Sequence, residues 1–273
     1  MTVLVTPDEL EKRGAIARGP LEPLAASLIA DLEPILATEV VIPAEKALLS
    51  REGGRCPRHA VLLEFDPLSP RFHRCPVDGE AFAGELHDRF WIYWYQLWLA
   101  ERAVHGALLQ ALGFGDRFGA FARGILERYA EGYLRYPNID NVLGPTRLFF
   151  STYLESIWLL QVVVATELLE RCGARKLGET VRDRIVEPSR ALIASYDEGL
   201  SNRQVWNNAA LLAAARLVGD EPAAEQAVYG GSGLTTHLAQ GLLVDGSWYE
   251  GENYHLFAHR GLSPPLMQSR QRQ

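Results

Sequence analysis

Residues 199–215 read GLSNRQVWNNAALLAAA, a polar opening followed by a run of alanine and leucine. The second half is typical of a buried helix, because Ala and Leu are among the strongest helix formers. Asn202 is a candidate cap for a helix that starts at Arg203, since its side-chain oxygen can accept an unpaired backbone N–H. Capping leaves Asn207 and Asn208 unexplained, because Asn is unfavourable inside a helix.

Helical periodicity extends from this stretch to most of the chain. Apolar residues recur at spacings of three and four from about residue 86 onward, and short polar segments separate the runs. Asp220 is predicted to cap a helix that holds Pro222 in its early turn. The predicted helices are 86–112, 116–135, 146–172, 174–197, 203–218, 221–240 and one that begins near 253.

Short connections predict that successive helices pack as antiparallel hairpins, so the fold class is all-α. The repeated helix–loop–helix unit is compatible with a helical toroid or solenoid, although no sequence repeat is visible. Four regions are predicted: helices over 1–50, an insert rich in Pro, Gly and Arg over 51–85, a helical domain over 86–262, and an irregular tail over 263–273. The runs VLLEF and EAF within the insert predict short strands.

Composition limits the functional classes. The chain has 273 residues, is 48% hydrophobic and carries a formal net charge of −7, which does not favour nucleic acid as a partner. The most apolar run, 157–169, contains Gln161 and Glu167, so no membrane span is predicted. The N-terminus lacks the pattern of a secretory signal, and the three cysteines are too few for a disulfide framework. A cytoplasmic location is therefore expected, and the oligomeric state stays open.

The insert contains two similar pentapeptides, CPRHA at 56–60 and CPVDG at 75–79. Each places a Cys three residues before a second potential ligand in a tight turn, as in zinc knuckles, and four such ligands close a structural zinc site. The alternative is a pair of turns that each bury a thiol. The candidate ligands are Cys56, His59, Cys75 and, as the fourth, Asp78 or His73.

Polar and aromatic side chains concentrate in two places in the helical domain. Helical spacing predicts that Arg203, Trp206 and Asn207 share one face at a helix N-terminus, where the dipole favours anions. The second concentration, DGSWYEGENYH at 245–255, is rich in glycine and opens another helix. His255 and His259 follow at a spacing that can bind metal, but such a pair without an acidic third ligand is more often a surface or packing feature.

These segments resemble the helical domain of heparinase II/III-like and oligoalginate-lyase-like proteins. The resemblance covers roughly residues 50–262 and includes the CPxH…CPVDG insert, GPTRLFFSTYLESIWLL, SNRQVWNNAALLAAARLVGD and GLLVDGSWYEGENYHLFAHRGL. It implies an (α/α) toroid followed by a β-sandwich, and β-elimination on uronic-acid polysaccharides without a catalytic cofactor. The chain is expected to lack the β-sandwich and to be a truncated copy that holds an incomplete toroid, with activity impaired by the truncation.

The resemblance also implies roles for individual residues. Asn202 and Arg203 fall where the family places an Asn and a His that neutralise the substrate carboxylate. Tyr254 falls in the segment of the catalytic Tyr, and His255 lies beside it. Arg203 departs from the family pattern, because a guanidinium can neutralise a carboxylate but cannot act as a base. The expected substrate-binding residues are Arg147, Glu155, Trp206, Asn207 and Trp248.

The sequence therefore predicts a lyase-type domain that binds an acidic polysaccharide or oligosaccharide. The alternative is a noncatalytic helical carbohydrate-binding or scaffold protein. A glycoside hydrolase would need two carboxylates across a cleft, and no spacing singles out a pair among Glu155, Asp245, Glu250 and Glu252. The remaining interpretation is that the aromatic residues belong to the core and the amides cap helices.

Overall fold

The computed structural model describes the backbone of residues 6–269 and the side chains of residues 6–263. This part of the chain is mostly helical, which confirms the predicted all-α class. The N-terminal helices are α1 (Pro7–Ala17) and α2 (Glu22–Leu32), and a small hairpin pairs β1 (His73–Arg74) with β2 (Ala81–Phe82). The remaining helices are α3 (Glu85–Ala111), α4 (Asp116–Gly132), α5 (Thr152–Arg171), α6 (Arg175–Val181), α7 (Glu187–Ala194), α8 (Asn202–Val218), α9 (Glu221–Tyr229), α10 (Leu234–Thr236) and α11 (Glu252–Ser269).

Helices α3, α5, α8 and α11 pack side by side in that order, each against the next. Helix α4 packs on α3, and α9 packs on α8. Inside the main core the ring of Trp158 lies against Tyr129 and Tyr133, with centroid distances of 5.1 and 5.4 Å. This packing removes a large apolar surface from water and holds the row of helices together.

Helix α5 runs through the middle of this core. By length and composition it could cross a membrane, with a mean hydropathy of 1.3, but 78% of that window is buried inside the protein. The core helix of a globular protein passes the same test, because it is apolar on nearly every side. The burial is consistent with the predicted lack of a membrane span.

Helix α8 has well-defined ends. Ser201 is the N-cap, and its hydroxyl accepts a hydrogen bond from the Gln204 backbone N–H. Gly219 ends the helix with φ 81°, a left-handed conformation that glycine adopts without steric penalty. The next helix is capped by Asp220, whose carboxylate accepts from the Ala223 N–H, so the predicted cap is confirmed.

Several predicted boundaries are wrong. Residues 146–151 form a loop because buried side-chain hydrogen bonds hold their backbone, and α5 begins only at Thr152. The predicted helix over 221–240 is broken at 230–233, where three of the four residues are glycine. Helix α11 continues to Ser269, through the predicted irregular tail, of which 270–273 lie outside the described residues. Residues 36–50 are not helical, and VLLEF forms no regular strand, whereas EAF supplies β2.

The insert between residues 51 and 84 is fastened to α3. The Trp91 indole N–H donates to the Asp66 carbonyl at 2.8 Å, and His87 Nδ1 lies 2.7 Å from the Gly53 carbonyl. Both contacts come from the first turns of α3. The position of the insert is therefore fixed by the helix that follows it.

Candidate functional site

The mouth of α8 contains a carboxylate that belongs to the chain itself. Glu250 Oε2 accepts hydrogen bonds from the Asn202 backbone N–H at 2.6 Å, from Asn202 Nδ2 at 2.8 Å and from the Trp248 indole at 2.7 Å. Asn202 is the first residue of α8, so the cap predicted at this position is wrong by one residue. With 2% of its surface exposed, Asn202 is turned toward Glu250 and not toward solvent.

Trp248 lies inside the protein. Its ring is parallel to that of His237, with 3° between the planes and 6.2 Å between the centroids, and 1% of the residue is exposed. In this arrangement Trp248 holds Glu250 in place and has no free face for a sugar ring.

The other amides of the opening stretch form a buried network between elements. Asn207 accepts from the Ser156 hydroxyl of α5 at 2.8 Å and donates to Gln204 at 3.2 Å. Gln204 also donates to Asn208 at 2.9 Å, and Asn208 donates to the Ser232 carbonyl at 2.6 Å. Each partner satisfies a polar group that would be costly to bury alone. Asn207 therefore points to α5 and is fully buried, so it presents no free amide to a ligand in this conformation.

Arg147 and Glu155 hold the loop before α5. The Glu155 carboxylate is fully buried and accepts from the Tyr133 hydroxyl at 2.7 Å, the Thr146 hydroxyl at 2.9 Å and the Leu148 N–H at 3.0 Å. Arg147 donates to the Tyr136 carbonyl at 2.8 Å. Both side chains thus have partners within the protein, and the Glu155 carboxylate has no access to solvent.

One part of the predicted site does reach solvent. The side chain of Arg203 is 33% exposed and pairs through Nε with the buried carboxylate of Glu198. The Phe257 ring lies 5.4 Å from Trp206 and 6.0 Å from Tyr153, which brings α5, α8 and α11 together beside this cation. Tyr254 is 47% exposed on the first turn of α11. We call this region the Arg203 surface; it consists of Tyr153, Arg203, Trp206, Tyr254 and Phe257.

Electrostatic interactions connect these side chains. Burial raises the pKa of Tyr153; Arg203 opposes that rise, and Glu198 and Tyr254 add to it. Burial opposes the charge of Arg203, but hydrogen bonding and attraction to Glu198, with further attraction to Glu250, raise its pKa. Tyr153 is therefore a phenol and Arg203 a cation at neutral pH.

His255 has a defined tautomer. Its Nδ1 lies 3.1 Å from the Trp248 backbone N–H, which can only donate, so Nδ1 accepts and the proton of the neutral ring is on Nε2. His255 can thus donate through Nε2 but does not present a free base there. The His259 ring lies 4.3 Å away, and its Nε2 is 3.3 Å from the Gly246 carbonyl.

The insert contains a second candidate site. Within the described residues, Cys56, His59 and Cys75 place their ligand atoms within 4.8 Å of one another and could hold a metal ion. His59 Nδ1 is 3.5 Å from Cys56 Sγ and 3.3 Å from Cys75 Sγ. Asp78 Oδ2 is 3.8 Å from the same nitrogen. His73 is turned away, with Nε2 3.0 Å from the Asp88 carboxylate, so Asp78 is the better placed of the two predicted fourth ligands.

The two turns that carry these ligands have the same backbone arrangement. The Cys56 carbonyl accepts from the Ala60 N–H at 2.8 Å, and the Cys75 carbonyl accepts from the Gly79 N–H at 2.9 Å. Ala60 and Gly79 both have positive φ, 54° and 73°. The backbone N–H groups two and three residues after each cysteine point at its sulfur. Such donors stabilise a thiolate, the form in which cysteine binds metal.

The hydrogen bonds to each sulfur and the burial of the thiol have opposite effects on its pKa. Burial raises the pKa of the Cys56 thiol, but the His59 and Arg58 N–H groups, together with the Cys75 and His59 side chains, outweigh it and the net pKa is lowered. For Cys75 burial dominates and its pKa is raised.

A separate apolar cavity of about 720 Å³ lies between α3 and residues 38–45, away from the Arg203 surface. Two of the charged groups beside it already have partners, since Arg71 pairs with Asp88 at 2.7 Å and Arg89 with Glu85 at 3.3 Å. The cavity offers space without a convergent polar group, so we assign no chemistry to it.

Sequence patterns gave no sign of three residues that surround Arg203. Glu198, Tyr153 and Phe257 come from different elements, and helical spacing reports only neighbours on one helix. The sequence indicated Glu250 only as one of four candidate carboxylates for a glycoside hydrolase.

The chain matches no protein-family model, and it has no significant sequence similarity to a curated protein.

Proposed function

We propose that this chain is a polysaccharide-lyase-type helical domain that binds an acidic oligosaccharide on the Arg203 surface for β-elimination. The observation that carries the proposal is the placement of a partly exposed guanidinium beside two tyrosines and two further aromatic rings. A guanidinium can bind a uronate carboxylate through two parallel hydrogen bonds. Aromatic rings next to it offer apolar faces for sugar C–H groups.

The chemistry follows from the substrate. The C5 proton of a uronate is weakly acidic, and neutralising the adjacent carboxylate stabilises the enolate-like transition state. A base removes the C5 proton, the electron pair forms the C4–C5 double bond, and the bond from C4 to the glycosidic oxygen breaks. The departing oxygen then takes a proton.

Two residues of the Arg203 surface fit these steps. Arg203 receives the carboxylate, because its side chain is partly exposed and its charge is fixed. Tyr254 is the exposed phenol for proton transfer, and the neighbouring tautomer of His255 supplies only a donor. Asn202 contributes by holding Glu250, not by meeting the ligand directly.

The packing also supports a proposed (α/α) toroid arrangement of the helices. The row of α3, α5, α8 and α11 would be its inner helices, and α4 and α9 would belong to the outer layer. The contacts among Tyr153, Arg203 and Phe257 bring the N-terminal turns of α5, α8 and α11 to one end of that row.

Activity is tested by the ultraviolet absorbance of the unsaturated product after incubation with alginate, heparin-type and other uronate polymers. We expect product from the native chain and none from Tyr254→Phe. Tyr229→Phe is the matched control, because Tyr229 is exposed on α9, away from the Arg203 surface. Equal product from the native chain and Tyr254→Phe would contradict the role of Tyr254.

One observation favours a noncatalytic carbohydrate-binding function as the second candidate. Asn202 already donates to Glu250, so the site has one fewer donor for a substrate carboxylate. This candidate predicts that sugar binding survives Tyr254→Phe and that no polymer yields product. If no uronate polymer binds and none yields product, both candidate functions are excluded.

We also propose that the insert holds a structural zinc ion through Cys56, His59, Cys75 and Asp78. Two thiolates, an imidazole and a carboxylate form a donor set of the kind that zinc accepts in a four-coordinate site. Asp78 also pairs with Arg58 at 2.6 Å, which holds its carboxylate near the cluster. The ion would fasten the two turns together and take no part in catalysis.

The zinc proposal is tested by metal analysis of the purified chain and of Cys56→Ser. We expect about one zinc per native chain, little in Cys56→Ser, and a lower melting temperature for the native chain after chelation. Cys172→Ser is the control, because Cys172 lies outside the cluster and should leave the zinc content unchanged. Full zinc content in Cys56→Ser would contradict the site.

A further inference from the structure

Glu250 is placed where an external carboxylate would be expected to bind. Its Oε2 accepts from the first backbone N–H of α8, from the Asn202 amide and from the Trp248 indole. Unpaired N–H groups and the helix dipole make such an N-terminus an anion site. The chain has filled that site with its own side chain.

The occupied N-terminus lies next to the cation of the Arg203 surface. Arg203 follows Asn202 directly in α8, and it interacts electrostatically with both Glu198 and Glu250. The local set is therefore two carboxylates and one guanidinium, with a net charge of −1. A ligand carboxylate that approaches Arg203 is repelled by Glu250 at the same time.

We propose that Glu250 is the specificity-determining residue of this surface: it occupies the carboxylate position at the N-terminus of α8 and leaves Arg203 as the receptor for a uronate carboxylate. This inference rests on the proposed oligosaccharide-binding function. It makes the surface selective for oligosaccharides of moderate charge, because each added anionic group meets the carboxylates of Glu198 and Glu250 as well as Arg203.

Two substitutions distinguish the effect of the Glu250 charge from the effect of its hydrogen bonds. Glu250→Gln keeps an oxygen that accepts from Asn202 and Trp248 but removes the negative charge. Glu250→Asp keeps the charge and shortens the side chain. Glu252→Gln is the matched control, because it removes a charge from an exposed residue two positions away. Glu250→Ala is a second neutral variant, and thermal melting of each protein verifies that it is folded.

The probes are an alginate tetrasaccharide and the same tetrasaccharide with its carboxylates reduced to alcohols, titrated by calorimetry. We expect Glu250→Gln and Glu250→Ala to raise affinity for the acidic probe by about tenfold, the order expected for one nearby unit charge. Affinity for the reduced probe should stay unchanged. In Glu250→Asp and Glu252→Gln the ratio of the two affinities should equal that of the native chain.

A second explanation is that Glu250 only anchors the loop before α11. It predicts that Glu250→Gln lowers the affinity for both probes equally, and that result would overturn the proposal. If the native chain binds both probes and Glu250→Gln has the same ratio of affinities as the native chain, the proposal is also overturned. The proposed function would then still stand. If the native chain binds neither probe, the proposed function and this inference both fail.

Discussion

Glu155 illustrates how one buried charge organises its surroundings. Its carboxylate receives hydrogen bonds from Tyr133, Thr146 and the backbone of the loop before α5. On the other side of that loop, Lys46 Nζ donates to the Ile139 carbonyl at 2.5 Å and to the Thr146 carbonyl at 2.8 Å. Burial lowers the pKa of Lys46 to about 8, and Glu155 opposes that shift. The two side chains fix a loop that sequence periodicity had assigned to a helix.

Glu155→Gln should therefore destabilise the fold. The amide keeps the shape but loses the charge-assisted hydrogen bonds, so we expect a loss of about 2 kcal/mol in the free energy of unfolding. Urea unfolding measures it. Glu179→Gln, at an exposed position, is the control and should change stability by less than about 0.5 kcal/mol. Equal stability of the two variants would mean that Glu155 is not a structural anchor.

The two turns of the insert are the element whose form follows most directly from the sequence. Pro follows each cysteine, and the fifth residue of each pentapeptide adopts a left-handed conformation. Gly79 does so freely, whereas Ala60 at φ 54° bears a steric penalty. The pentapeptide pattern predicted both turns. It left the fourth ligand open, because the orientation of His73 depends on its contact with Asp88 of α3, which the pentapeptide pattern does not report.

This difference predicts opposite effects of two substitutions. Ala60→Gly should relieve strain and Gly79→Ala should introduce it, each changing local stability by about 1 kcal/mol. If the turns hold zinc, Ala60→Gly tightens zinc binding and Gly79→Ala weakens it. Competition with a zinc-sensitive dye measures both affinities. A loss of affinity in Ala60→Gly would show that the conformation at this position is not strained.

At the scale of the whole molecule, the sequence predicted most helices because their ends have local signals. Asp220 and Gly219 mark the junction of α8 and α9 in the sequence itself. The contacts at the N-terminus of α8 have no such signal, since Glu250 meets Asn202 across 48 positions of the chain. Asn207 and Trp248 are buried, so they contact other parts of the protein and not a ligand. Helical spacing predicts which residues share a face, but not which face is covered by neighbouring helices.

The buried tyrosines predict how the fold responds to alkali. Burial raises the pKa of Tyr93, Tyr95 and Tyr136 to about 12, and it raises that of Tyr129 and Tyr133 well above the usual 10. Because the folded pKa values lie above the unfolded ones, their stabilisation is complete below pH 10 and is lost as pH rises through 12. We expect a loss on the order of 2 kcal/mol for each of Tyr93, Tyr95 and Tyr136, whose pKa values rise to about 12.

The alkaline loss is best measured above pH 10.5. Between about pH 8 and the ordinary value of 10.5, Lys46 has the opposite effect, because its lowered folded pKa makes stability rise with pH. Urea unfolding at a series of pH values, with tyrosinate absorbance recorded in parallel, follows both groups. Titration of all ten tyrosines near pH 10 with the helices intact would contradict the assigned burial.

The central claim is that Arg203 receives the carboxylate of an acidic oligosaccharide. Arg203→Gln alone would leave the Glu198 carboxylate, whose side chain is 3% exposed, without its counter-charge. The double variant Glu198→Gln/Arg203→Gln avoids this, and Arg260→Gln, on the exposed side of α11, is the control.

The deciding measurement is calorimetric titration of these proteins with an alginate tetrasaccharide. We predict binding by the native chain and by Arg260→Gln, and an affinity at least about tenfold lower in the folded double variant. Equal affinity in the double variant and the native chain, or no binding by the native chain to any uronate oligosaccharide, would contradict the claim.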